Sequence, residues 1–148
     1  MLRTVILLSA TIGVVAGASG AAAQSLPYSP VVEAGGVLYV AGHIGRNPQT
    51  RELAGDIQTE TRQTLENIGA TLASVGASHA DLVRCQVFLA DISDFSAMND
   101  VYRTFFPENP PARTTVAVKD IVAGAKIEIE CTGVRGRRDA APAPSKSQ

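Results

Sequence analysis

Lys126-Ile127-Glu128-Ile129-Glu130-Cys131 alternates between charged and apolar side chains. An extended chain points successive side chains to opposite faces, so Ile127, Ile129 and Cys131 share one face and Lys126, Glu128 and Glu130 the other. The stretch predicts a strand with one face on a core and a polar second face that needs its own explanation. Just upstream, Thr115-Val116-Ala117-Val118 reads as another strand, separated by a loop around Gly124. Ahead of that, Pro107-Glu108-Asn109-Pro110-Pro111 is a rigid connector that ends the preceding helix.

Working outward, Phe95, Met98, Val101, Tyr102, Phe105 and Phe106 form the apolar side of a helix over 94–106, with Ser93 or Asp94 as its cap. Val83, Cys85, Val87 and Leu89 alternate along a strand over 82–89. A longer helix is expected from Asp56 to Val75. Its buried stripe is Ile57, Leu65, Ile68, Leu72 and Val75 with Thr61 and Thr64, while Glu60, Arg62, Glu66 and Asn67 take other directions and Gly76 stops it. Gly35-Gly36 between Val31-Val32-Glu33 and Val37-Leu38-Tyr39-Val40 predicts a hairpin, followed by a glycine-rich exit loop over 41–48. The order β-β-α-β-α-β-β defines an α+β fold: a two-layer domain with a mixed sheet and two helices on one face. So small a body is expected to cover its open sheet face with another subunit.

The chain has 148 residues, with 13 basic and 14 acidic side chains. Met1-Leu2-Arg3, the apolar run Thr4 to Val15 and the small residues Ala21-Ala22-Ala23 predict a signal peptide over 1–23, hence export and a periplasmic or secreted location. The strongly apolar run is too short for a membrane span, and no stable membrane insertion is expected after processing. A domain over 24–134 then carries 8 basic and 13 acidic residues. That acidic balance opposes a nucleic-acid surface. Residues 135–148 read as a basic, disordered tail. Cys85 and Cys131 both lie on the apolar sides of strands; two buried free thiols are favoured over a bridge, although an exported protein permits one.

Arg113 is placed at the edge of a strand, where its guanidinium can hold a carboxylate by paired charge-assisted hydrogen bonds or serve as an ordinary rim arginine. Glu128, inside the Ile-Glu-Ile alternation, is either a proton-transfer group whose pKa partial burial would raise or a solvated strand residue. Tyr28 precedes Ser29-Pro30 in the N-terminal loop, suited to covering a pocket or to simple packing. His43 is read as structural and His79 as solvent-facing. The histidines show no ligand spacing and no metal is assigned. No P-loop, Gly-x-Ser-x-Gly elbow or RNA-binding signature occurs, leaving a small-molecule site with no cofactor.

Pro111-Ala112-Arg113-Thr114, a strand, a short loop and then Lys126-Ile127-Glu128-Ile129-Glu130 resemble the C-terminal signature of the RidA-like (YjgF-like) family of enamine/imine deaminases, called endoribonucleases in older usage. Tyr28, the Gly42 loop, Asp94-Phe95 to Asn99, and Tyr102-Arg103-Thr104-Phe105-Phe106 fall in the family's order. The resemblance implies a chorismate-mutase-like fold and a homotrimer with pockets at its subunit interfaces. It places Arg113 on the substrate carboxylate and Glu128 on the attacking water, with Tyr28, Asn99, Gly42 and Thr115 lining the pocket. The implied reaction turns a 2-aminoacrylate-like enamine, through its imine, into a 2-keto acid and ammonia. Ala41, His43 and Thr115 stand where the family often has serine, glutamine and cysteine. A non-enzymatic module for small carboxylates and, further behind, an endoribonuclease are the alternative readings.

Overall fold

The computed structural model describes residues 27–137. Gly35 and Gly36 hold φ values of +58° and +77°, the left-handed backbone that a two-residue hairpin turn requires. They join β1 (Val31–Ala34) to β2 (Val37–Ile44). Helix α1 (Ile57–Ala73) starts at a reciprocal cap, in which the Asp56 carboxylate accepts from the Thr59 N–H and the Thr59 hydroxyl accepts from the Asp56 N–H. Beyond its far end, the Ala77 N–H turns back to the Leu72 carbonyl at 2.9 Å. Then come β3 (Leu82–Leu89), α2 (Phe95–Phe105), β4 (Ala112–Ala117) and β5 (Ile127–Val134).

The five strands lie in the order β1-β2-β5-β3-β4. All pairs are antiparallel except β3 with β4, which α2 connects as a parallel crossover. Leu38, Val40, Val87, Leu89, Ile127 and Ile129 on one sheet face meet Leu65, Ile68 and Leu72 of α1 and Met98, Tyr102 and Phe106 of α2 in a single core. The expected α+β order and the one-sided helical layer are both present. The opposite face is polar at its centre, where Arg84 donates to Gln86 at 3.1 Å and Gln86 in turn to Glu130. Val32, Tyr39 and Val116 stand exposed around it.

Several local expectations change. The exit loop after Val40 is strand: β2 runs on to Ile44, with its pairing to β5 irregular between Val40 and His43. β4 begins three residues earlier than its β-branched run suggested, so Arg113 is its second residue. Glu60 and Asn67 turn inward instead of outward. Glu60 is only 2% exposed and its carboxylate accepts from the Lys126 N–H at 2.8 Å, while Asn67 donates to the carbonyls of Ile44 and Arg46. Both satisfy backbone groups that the fold would otherwise bury unpaired. His79 is part-buried against Phe105 and Phe106 and bonds the Leu65 carbonyl at 2.9 Å.

The cysteines are bonded to each other, not free. Cys85 and Cys131 are direct partners across β3 and β5, with Cα atoms 4.1 Å apart, the closer spacing of an antiparallel ladder, where side chains meet. Each strand's alternation shows that its cysteine faces the core; only the register shows that they face one another. At the end of β5, Arg135 bonds Glu33 and the Val75 carbonyl, and Arg137 donates to the carbonyls of Leu82 and Asn109. The proposed signal segment and the rest of the tail lie outside the described residues.

Candidate functional site

The predicted site residues fall into two groups on opposite sides of the sheet. Arg113 is paired with Cys85 in the β3–β4 ladder and therefore faces the helices. Its guanidinium lies 4.6 Å from the Tyr102 ring centre and 5.7 Å from that of Phe95. Stacking on aromatic faces holds a cation while leaving its in-plane N–H donors free. Among the described residues, the one polar contact of the head group is a long approach of Nη1 to Met98 Sδ, 4.0 Å. No described carboxylate reaches Arg113, so an edge-strand guanidinium is held in place with its charge unmatched.

Thr115, two residues on, shares the Arg113 face, and its hydroxyl oxygen is buried without a hydrogen-bond partner among the described residues. Asn99 follows Phe95 by four residues and precedes Tyr102 by three, which puts all three on one stripe of α2. The Tyr102 hydroxyl is likewise buried and unpartnered, and burial pushes its pKa up to about 12, against the pull of Arg113. Arg113 and Thr115 thus share the helix-facing side of β4, and Asn99 shares the α2 stripe that carries the Arg113 aromatic platform. Sequence reasoning missed Tyr102 and Phe95 as the platform for Arg113. Their seven-residue spacing was visible, but it was indistinguishable from ordinary core periodicity.

Glu128 belongs to the other group. It is paired with Ile44 on one side and Phe88 on the other, and faces away from the helices. Burial raises its carboxyl pKa above 4.5, and repulsion from Glu130 adds to the effect. Gly42 lies directly against it: a Cβ at position 42 would overlap the Glu128 carboxylate oxygen, so any larger residue there would have to displace that carboxylate. The Ala41 N–H donates to the Pro30 carbonyl at 2.9 Å, tying the segment that carries the exposed Tyr28 to the same end of β2. Glu128, Gly42 and the Tyr28 segment thus form a second group. Because Arg113 and Glu128 face opposite sides of the sheet with β3 between their strands, one copy does not aim both at a single small molecule.

Among the described residues, no group of three or more His, Cys, Asp or Glu side chains gathers as a metal site, and no helix is long and apolar enough to cross a membrane.

These features define a class: a small two-layer α+β subunit offering an unmatched arginine at one sheet edge and a partly buried carboxylate on the opposite face. The chain belongs to the RidA-like family, whose model, described as Endoribonuclease L-PSP, matches residues 19–135. The human 2-iminobutanoate/2-iminopropanoate deaminase is 36% identical over 111 residues, covering 74% of this chain and 81% of that protein. A RutC family protein of Pyrococcus horikoshii is 45% identical over 105 residues, 70% of this chain and 83% of that one. Among solved structures, RidA from an Antarctic Psychrobacter superposes with a TM-score of 0.72 at 35% identity, covering 76% of this chain and 91% of that one. TdcF of E. coli with bound serine gives a TM-score of 0.72 at 35% identity, with 75% and 90% covered.

Proposed function

We propose that the protein hydrolyses reactive imines of small amino acids to 2-keto acids and ammonia, in pockets completed between neighbouring copies of a homotrimer. One observation carries this reading: the unmatched Arg113 and the partly buried Glu128 stand on opposite faces of one subunit, so a second copy is needed to bring the complementary pair together. Relatives named as imine deaminases support the reaction, and the serine-bound TdcF structure supports a small amino-acid-like ligand.

In this mechanism Arg113, Asn99 and Thr115 of one copy hold the substrate carboxylate. Glu128 of the next, with Gly42 and Tyr28 beside it, orients a water against the imine carbon. The ionised Glu128 takes one proton from that water as its oxygen bonds to carbon and returns it to the imine nitrogen, giving a carbinolamine. It then takes the remaining hydroxyl proton as the carbonyl forms and passes it to nitrogen as the C–N bond breaks. One water is consumed and one ammonia leaves. Raising the carboxyl pKa toward neutrality strengthens it as a base wherever it is still ionised. These steps call on charge placement and a positioned water.

The test is release of ammonia and keto acid from freshly generated amino-acid imines. Glu128→Gln is expected to lower kcat by about 10²–10⁴-fold. Arg113→Ala is expected to raise KM by about tenfold or more, the loss of a charge-assisted hydrogen bond. A trimer mass in solution is expected alongside. A parent inactive across the panel refutes the enzyme; keto-acid binding that still depends on Arg113 would then favour the carboxylate-binding module. The reading also includes export to an oxidising compartment, supported by the character of residues 1–23 and by the bridge between Cys85 and Cys131. Mass spectrometry of the exported protein is expected to find Gln24 at its N-terminus.

A further inference from the structure

His43 lies next to Gly42 but faces the other way, paired with the fully buried Ile129 and directed at α1. Its Nδ1 is 2.7 Å from the Ala41 carbonyl and its Nε2 2.8 Å from the Thr71 hydroxyl. A carbonyl only accepts, so Nδ1 carries the hydrogen, and the neutral ring takes the Thr71 proton at Nε2. Burial lowers the His43 pKa below 6.5, against the support of the Ala41 hydrogen bond, which favours that neutral form at neutral pH.

These bonds fall on the place where the β2–β5 ladder is irregular, between Val40 and His43. Ala41 is held at both ends, its N–H by the Pro30 carbonyl at 2.9 Å and its C=O by His43. One helical turn before Thr71, Asn67 donates to the carbonyls of Ile44 at 3.0 Å and Arg46 at 2.9 Å. Two residues of α1 therefore clamp the far end of β2, one through the backbone and one through an imidazole. Gly42, between the clamped residues, is what packs against the Glu128 carboxylate. A bulge re-aims the strand that carries it, and an unpinned bulge would change how Glu128 is held.

We propose that His43 is a positioning residue for Glu128: bonded to Ala41 and Thr71, its ring fixes the irregular turn of β2 so that Gly42 buttresses the carboxylate from behind. It touches neither substrate nor water. The role of Glu128 rests on the deaminase reading, whereas the geometry of the clamp does not, and the experiment separates the two.

The variants are His43→Leu, which fills the volume without hydrogen bonds, His43→Gln, which restores a donor and an acceptor, and Thr71→Val, which removes only the hydroxyl. With an imine substrate, His43→Leu is expected to lower kcat by about 10–100-fold, the scale of a misplaced catalytic group. KM should hold within about twofold, because the Arg113 group lies on β4. His43→Gln should recover most of that loss, and Thr71→Val should fall between. Parent kcat in His43→Leu, or equal losses in the Leu and Gln variants, would overturn the proposal. If His43→Leu does not fold, Thr71→Val carries the comparison, and an unchanged kcat there counts against it. Two readouts need no turnover. Ring-nitrogen NMR should find the Nδ1–H tautomer, and hydrogen exchange at the Ala41 and Gly42 amides should quicken in the Leu or Val variant but not in α2. An Nε2–H tautomer or unchanged exchange overturns the clamp; the expected pattern in a protein without deaminase activity upholds the clamp and sinks only the deaminase reading.

Discussion

Removing the cross-strand bridge is the sharpest perturbation of this fold. Cys85 and Cys131 are separated by 46 residues, so the bond closes a loop that takes in the end of β3, all of α2 and β4, and the start of β5. In the chain-entropy treatment, a loop of that length restricts the unfolded ensemble by about 4 kcal/mol at 25 °C. Both residues are core-facing, at 0% and 4% exposure, so Cys85→Ala/Cys131→Ala also loses packing, roughly 1 kcal/mol more. For a body of this size that corresponds to a Tm lower by about 20 °C. The assay is urea unfolding of the oxidised parent and the double variant at equal protein concentration, since subunit association also contributes to apparent stability. Mass spectrometry counts the thiols. A bridged parent whose unfolding free energy matches the variant's within about 1 kcal/mol would refute the reasoning. Two free thiols in protein isolated from an oxidising compartment would refute the bridge itself.

Four further outcomes follow from the carboxylates and from Gly42. Glu130→Gln removes the like charge that helps raise the Glu128 pKa while keeping an acceptor for Gln86. The acid limb of the kcat/KM profile should therefore move to lower pH, and a limb that stays in place shows that Glu128 does not govern it. Because the folded-state pKa of Glu128 is raised, the folded protein holds its proton more tightly than the unfolded chain, and the ionised carboxylate opposes folding once pH passes through that pKa. Glu128→Gln should thus melt above the parent at pH 8 and lose that advantage below pH 4.5, as differential scanning calorimetry can read. Glu60→Ala strips the start of β5 of its buried acceptor and should cost about 2 kcal/mol, with Glu60→Gln costing less; parity in urea midpoints for Glu60→Ala would count against that role. Gly42→Ala must displace the Glu128 carboxylate, so kcat should fall well below the parent's while Arg113-dependent keto-acid binding persists; parent-like kcat would show that the close approach is not needed.

The core was legible because burial leaves a local record. Ile127, Ile129, Val87 and Leu89 keep the period of a strand, and Leu65, Ile68 and Leu72 keep that of a helix. Glu60 and Asn67 were misread because residue type speaks only for the average environment. Glu60 is buried and Asn67 partly buried to satisfy backbone groups contributed by another part of the chain, and nothing in α1 alone announces that demand. The stretch after Val40 read as a loop for a related reason. Its glycine signals a close approach, and the approaching group, Glu128, lies far along the chain. Arg113 and Glu128 were identified as residues, but whether they share a face depended on the order of the strands.

The sequence by itself determined the two-glycine hairpin, the sequence of strands and helices, the one-sided helical layer, and the guanidinium and carboxylate that the site offers. All are consequences of short-range periodicity and side-chain chemistry. Tertiary structure alone decided that Cys131 meets Cys85, that His43 clamps the irregular turn of β2, and that Arg113 and Glu128 lie on opposite sides of the sheet. Those facts depend on which strands pair and in what register. Register is selected by the packing of the whole core at once, and a single strand's alternation is satisfied equally well beside several neighbours.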